Sequence, residues 1–261
     1  MMNDLQMMQE KSVLRWGGLA GIVGSILLVV VFVIVGVFVG APAAEPAETV
    51  MRFPDVRAAH IVEEVLYLGV LALWAVHLLA VYRALRGTSP APALFGSALG
   101  IMGLGVLAAG ALPQVARTPI SALYHAPGAT SEDQATLVLL WQAAQGMLDA
   151  FLVTGLLLVP IGLIGLGVGM LGTPAFGKGF GGLSVGLGVV GVIAASALLV
   201  DVSPIAVVGV FALIVFHLVL GWKVYRLSRA PEEVLKIGER AAALKTLQEG
   251  RVDAPTPFDG T

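Results

Sequence analysis

Long apolar runs, separated by short clusters of charge, proline and glycine, repeat along this chain. The first extends from Trp16 to Val39. The same pattern predicts five more helices long enough to cross a bilayer, at about 61–83, 93–112, 147–171, 180–200 and 204–224. The first run is longer than the roughly 7–15 residues of a secretory h-region, so Ala41-Pro42-Ala43 is not read as a cleavage site. A retained first span is expected instead.

Local chemistry marks several boundaries. Arg86-Gly87-Thr88-Ser89-Pro90 turns the chain after the second run. Ser131 followed by Gln134 resembles a capping box, with Glu132 and Asp133 favourable in a first helical turn. Ser203-Pro204 supplies an N-cap and an N1 proline for the sixth run.

The fourth run has a register to settle. From Gln134 to Leu171 the only charge is Asp149, and this stretch would be about 57 Å long as a helix against a hydrocarbon core of about 30 Å. Placing 147–171 in the bilayer leaves Gln142 and Gln145 in water and brings Lys178 to the inner surface. That register puts Asp149 about 15 Å from mid-membrane, where a carboxylate is tolerable.

Composition removes whole classes of function. Hydrophobic residues make up 57% of the 261 and charged residues only 12%, with mean hydropathy +0.92, which is far from a soluble domain. A net charge of −2 gives no basic field for nucleic acid. The absence of cysteine excludes disulfides, thiolate metal sites and cysteine nucleophiles.

Lysine and arginine set the orientation. Twelve of them, among them Lys11, Arg15, Arg83, Arg86, Lys178, Lys223, Arg226 and Arg229, fall on one side, against Arg52, Arg57 and Arg117 on the other. Both termini are therefore expected in the cytoplasm of a protein of the cell (plasma or inner) membrane, in agreement with an even number of spans. Residues 1–229 form the membrane unit in this reading. A short amphipathic cytoplasmic helix follows over 230–250, with Val234, Ile237, Ala241 and Leu244 on one face, and 251–261 reads as a disordered tail.

The expected fold is all-α, a six-helix membrane bundle. Its 33 glycines include the spaced pairs Gly17/Gly21, Gly36/Gly40, Gly96/Gly100, Gly165/Gly169 and Gly182/Gly186, which allow close helix approach within the bundle or between copies in a homo-oligomer.

Two polar layers stand out by depth. The outer one contains His60, Glu63, Glu64, Asp149 and Asp201, candidates for an ion, proton or polar ligand, or for interfacial carboxylates that pair with Arg57 and Arg117. The inner one is His77 and His217, on helices of the same direction; Glu63, Tyr67, Trp74 and His77 share one face. The histidines read as buried residues bonded to neighbouring backbone, with a proton relay or a bis-histidine haem as alternatives. No other cofactor and no metal is indicated, and no catalytic set accompanies the carboxylates. Trp16, Trp141 and Trp222 read as interfacial anchors, and Pro160 with Gly162 as a kink in the fourth span.

Pro160-Ile161-Gly162-Leu163, the loop Gly172-Thr173-Pro174-Ala175-Phe176-Gly177 and the start Gly181-Gly182-Leu183 of the next span together carry a resemblance. In these the chain resembles a prokaryotic six-span membrane family known only as a domain of unknown function, across roughly residues 15–229. The resemblance implies a compact helical membrane domain, and it brings no activity and no catalytic residues. The functional expectation is a non-enzymatic multi-pass protein that binds a small ligand or partner at the outer layer. A small secondary transporter or proton-coupled carrier is the alternative.

Overall fold

The computed structural model describes residues 2–40, 43, 45–200 and 203–229, and the regular structure there is entirely helical. The helices are α1 (Met2–Ile34, continued by a π-helical turn, Val35–Val39), α2 (Pro46–Leu85), α3 (Pro90–Ala109), α4 (Ala111–Tyr124), α5 (Ser131–Leu171), α6 (Gly177–Leu198) and α7 (Ser203–Ser228). Six stretches are long and apolar enough to cross a membrane, with α3 and α4 counting as one through the helical Gly110. Asp201 and the tail from residue 230, including the expected amphipathic helix, lie outside the described residues.

Prolines start two of these helices. Pro46 and Pro90 occupy first-turn positions, where a missing N–H costs nothing and the fixed φ suits the helix. The cap of α5 sits one residue earlier than the sequence suggests. Thr130, not Ser131, is the N-cap: its hydroxyl accepts from the Asp133 N–H at 3.2 Å, and the Asp133 carboxylate accepts from the Thr130 N–H at 3.0 Å. Asp133 thus takes the position expected for Gln134, whose amide instead donates to the Tyr124 carbonyl at 3.2 Å.

The helices form a closed ring in the order α1, α2, α3, α5, α6, α7, with α7 packed back on α1. Glycine makes the closest seams. A methyl group added to Gly162 of α5 would meet the Gly96 carbonyl and the Gly100 nitrogen of α3 at 2.6 Å. On the other side of α5, the Pro160 ring lies where a side chain on Gly191 of α6 would be. α5 is continuous through that proline. A serine hydroxyl crosses each of three seams: Ser25 donates to Ile214 O at 3.2 Å, Ser97 to Leu78 O at 3.4 Å and Ser184 to Leu163 O at 3.0 Å. Gly36, Gly40, Gly182 and Gly186 face open space.

Helix lengths are unequal, and this shapes one end of the molecule. α2 and α5 have 40 and 41 residues, about 60 Å each, whereas α6 has 22, about 33 Å. α6 packs on the C-terminal half of α5, where Gly188 meets Pro160 and Ile164 and Gly181 meets Leu171. The N-terminal halves of α2 and α5 therefore extend beyond it, with α4 between them. There they bury a second, smaller core of Val50, Phe53, Tyr124, Leu137 and Trp141, separate from the main core. α4, which the hydropathy pattern does not predict, completes this three-helix cap. At the opposite, basic end, Arg83 donates to Glu10 at 2.7 Å, and the Thr88 and Thr173 hydroxyls are 2.7 Å apart.

Candidate functional site

Where the cap meets the main bundle, polar side chains from α2, α4 and α5 converge. Their centre is Arg117 of α4, which is only 6% exposed. Its two terminal nitrogens donate to the side-chain oxygens of Gln114 and Gln145, and its guanidinium lies over the Trp141 ring, 5.0 Å from the centroid. Gln145 in turn donates to the exposed Asp149 at 2.7 Å. On α2, one turn apart, His60 Nδ1 and a Glu63 oxygen are 3.0 Å from each other. Phe53 sits edge-on to Trp141 and stacks on His60, which ties the polar layer to the cap core.

The electrostatics of this layer are incomplete. Glu63, Glu64 and Asp149 all act on Arg117, yet among the described residues no carboxylate comes within 4.0 Å of it. Arg117 Nε and Glu64 Oε1 are both buried and both lack a hydrogen-bond partner. A buried guanidinium held by neutral amides and an indole face, with no paired carboxylate, retains part of its desolvation cost. Beside this layer, between α2 and α4, lies a cleft of about 380 Å³. Arg57, His60, Glu64, Gln114 and Thr118 supply its polar lining, and Phe53, Ile61, Val115 and Pro119 its apolar walls.

The structure brings His60, Glu63, Glu64 and Asp149 together around Arg117. It also supplies what the sequence reading lacked. Arg117 is the hub rather than a peripheral counter-ion, and amide oxygens hold it, not carboxylates. Trp141, expected as an exposed anchor, is 4% exposed and packs inside the cap. Trp16 and Trp222 are exposed at 66% and 55%. The signal that could have revealed the hub is the spacing of Gln114, Arg117 and Ser121, which places three polar groups on one face of a helix.

The inner pair lies in the main core. His77 and His217 are both fully buried, with ring centroids 5.2 Å apart at 65°. Trp74 stacks on His217 at 4.1 Å with only 7° between the planes. His77 Nδ1 lies 2.9 Å from the Gly17 carbonyl, an acceptor only, so Nδ1 carries the proton and Nε2 presents a lone pair. That Nε2, both nitrogens of His217 and the Trp74 indole N–H lack partners. A haem held by both histidines would have to slot between the rings. Rings in edge-to-face contact leave no gap for a porphyrin, so the arrangement does not fit a bis-histidine haem.

No family model, no curated protein and no solved structure matches this chain. The fold and the two polar layers are the observations on which a functional reading rests.

Proposed function

We propose that this chain is a multi-pass protein of the cell (plasma or inner) membrane that binds a small polar ligand on its extracytoplasmic side. In this reading the six long apolar stretches cross the bilayer, the basic end and both termini are cytoplasmic, and the cap with its cleft faces outward. The carrying observation is the convergence of α2, α4 and α5 on the buried Arg117, with an unpartnered Nε, beside a cleft lined by Arg57, His60, Glu64, Gln114 and Thr118. A cleft with apolar walls and a few fixed polar groups is the usual form of a small-molecule site. The resemblance to a six-span family of no assigned activity is compatible with a binding role and adds no chemistry to it. Of the glycine pairs, Gly36/Gly40 and Gly182/Gly186 are the ones left open for a second copy of the chain.

The chain has no cysteine, so a single introduced one reports on its own surroundings. In intact cells a membrane-impermeant maleimide should label Thr118→Cys, while Lys178→Cys should react only after permeabilisation. The reverse pattern would overturn the orientation. A Thr118→Cys variant that stays unreactive even in open membranes would overturn a water-filled cleft.

A second reading, a proton-coupled carrier, draws on the direct contact between His77 and His217 and their unpartnered nitrogens. In proteoliposomes it requires proton flux that His217→Leu abolishes and Asp149→Asn lowers. Flux equal to that of empty vesicles would end it.

A further inference from the structure

The basic end divides into two unlike halves. On the α1–α2 side, the Glu10 carboxylate accepts from Arg83 at 2.7 Å and lies 3.7 Å from Arg86, so acid and base meet there. On the α6–α7 side the Lys223 amine lies over the Phe180 ring, 5.3 Å from its centroid. Arg226 follows one turn later on α7, and Lys178 stands exposed in the first turn of α6. Among the described residues, no carboxylate lies within 4.0 Å of Lys178, Lys223 or Arg226. Arg229 is already engaged, donating to the Tyr225 hydroxyl and lying over its ring at 4.6 Å.

Apolar surface adjoins this cluster. Trp222 is 55% exposed, and Leu218 and Leu183 are exposed further along α7 and α6. The surface thus joins a cationic head region to an apolar strip running away from it, with an indole near the boundary. An indole at such a boundary is typical of the membrane interface.

We propose that Lys223 and Arg226 bind the headgroup phosphate of an anionic phospholipid of the inner leaflet, with its acyl chains along the Leu183 and Leu218 surface. This rests on the bilayer-crossing reading given above. Like charges placed a turn apart repel, and a phosphate relieves that repulsion while accepting from an ammonium group and a guanidinium fork. A zwitterionic headgroup brings its own ammonium into the same cationic region and loses part of the gain. Phe180 holds the Lys223 amine over its face, so that less freedom is lost when the phosphate arrives.

The test uses the full chain in a neutral maltoside detergent, titrated with dioleoyl phosphatidylglycerol or dioleoyl phosphatidylcholine and read by native mass spectrometry. Phosphatidylglycerol should be retained in preference to phosphatidylcholine. Each cation near a membrane surface contributes about fivefold, so Lys223→Gln with Arg226→Gln should weaken phosphatidylglycerol retention by about 25-fold and leave phosphatidylcholine unchanged. Lys223→Arg should retain most of the binding. Thermal unfolding without added lipid should not change, which separates lost binding from lost folding. Arg86→Gln, at the compensated half, should cost less than twofold.

Equal retention by the double variant and the parent would overturn the proposal. So would an equal loss in Arg86→Gln, because diffuse charge would then hold the lipid. Competition by free glycerol phosphate would show a soluble anion site instead. The membrane reading is checked separately by flotation with phosphatidylcholine vesicles. A chain that floats yet shows no preference for phosphatidylglycerol refutes this site alone.

Discussion

Gly162 has no room for a methyl group, because a Cβ there would stand 2.6 Å from two backbone atoms of α3. Neither a carbonyl oxygen nor a backbone nitrogen can turn aside as a side chain would, so the helices themselves have to separate. Gly162→Ala should therefore destabilise the protein by about 1–3 kcal/mol. Gly182 on α6 has nothing within 4 Å, and Gly182→Ala should gain about 0.5–1 kcal/mol, since only the flexibility of glycine is lost. Thermal unfolding of both variants in one detergent checks the pair, and equal shifts would contradict the assignment of buried and open glycines. The sequence shows Gly182 in a spaced pair with Gly186 and Gly162 beside Pro160, but cannot rank them. These helices are apolar on every face, and periodicity identifies a buried face only where polar residues mark the other. His77 was legible for the opposite reason, because a polar residue deep in an apolar helix gives both its depth and its face.

The elements were legible to the extent that hydropathy carried them. The six apolar runs appear in the structure as six long helical stretches. What hydropathy missed is α4, which carries Pro113 and Pro119, is of mixed polarity and lies almost wholly outside the predicted runs, although it brings Gln114 and Arg117 to the site. The start of α5 shows how finely such chemistry acts, since two adjacent hydroxyl residues compete for one cap. Thr130 holds it because Asp133 can reach back to both its N–H and its hydroxyl. Thr130→Ala should cost about 1 kcal/mol, whereas Ser131→Ala should be close to neutral. The Thr130 hydroxyl first, and then its backbone N–H, hold the Asp133 carboxyl below its ordinary value of 3.8. A lowered carboxylate pKa stabilises the fold fully above the unfolded value and ceases to do so as pH falls through the folded one. The stability difference between the parent and Asp133→Asn should therefore be constant at neutral pH and shrink below about pH 4. Chemical denaturation across that range measures it, and a difference that persists in acid would remove Asp133 from the cap.

At the scale of the whole molecule, two hydrophobic cores of unequal size meet at the Arg117 layer. The larger is set by the ring of helices, and the smaller by Val50, Phe53, Tyr124, Leu137 and Trp141. Arg117 joins them: its terminal nitrogens bind one glutamine on α4 and another on α5, and its plane covers Trp141 of the smaller core. Arg117→Met keeps much of the volume but strands both glutamine oxygens and removes the cation from the indole face. The loss should be about 1–3 kcal/mol and should fall on the cap, because α6 and α7 share no contact with α4 and bury their own apolar surface elsewhere. Hydrogen exchange in detergent should then quicken about tenfold or more in 111–124 and in the N-terminal halves of α2 and α5, with 177–228 unchanged. Loss of stability confined to the cap would mean that the cap, which carries the cleft between α2 and α4, can open without unfolding the bundle. An equal rise along every helix would instead make cap and bundle one cooperative unit, and Arg117 a structural bolt rather than the hub of a site.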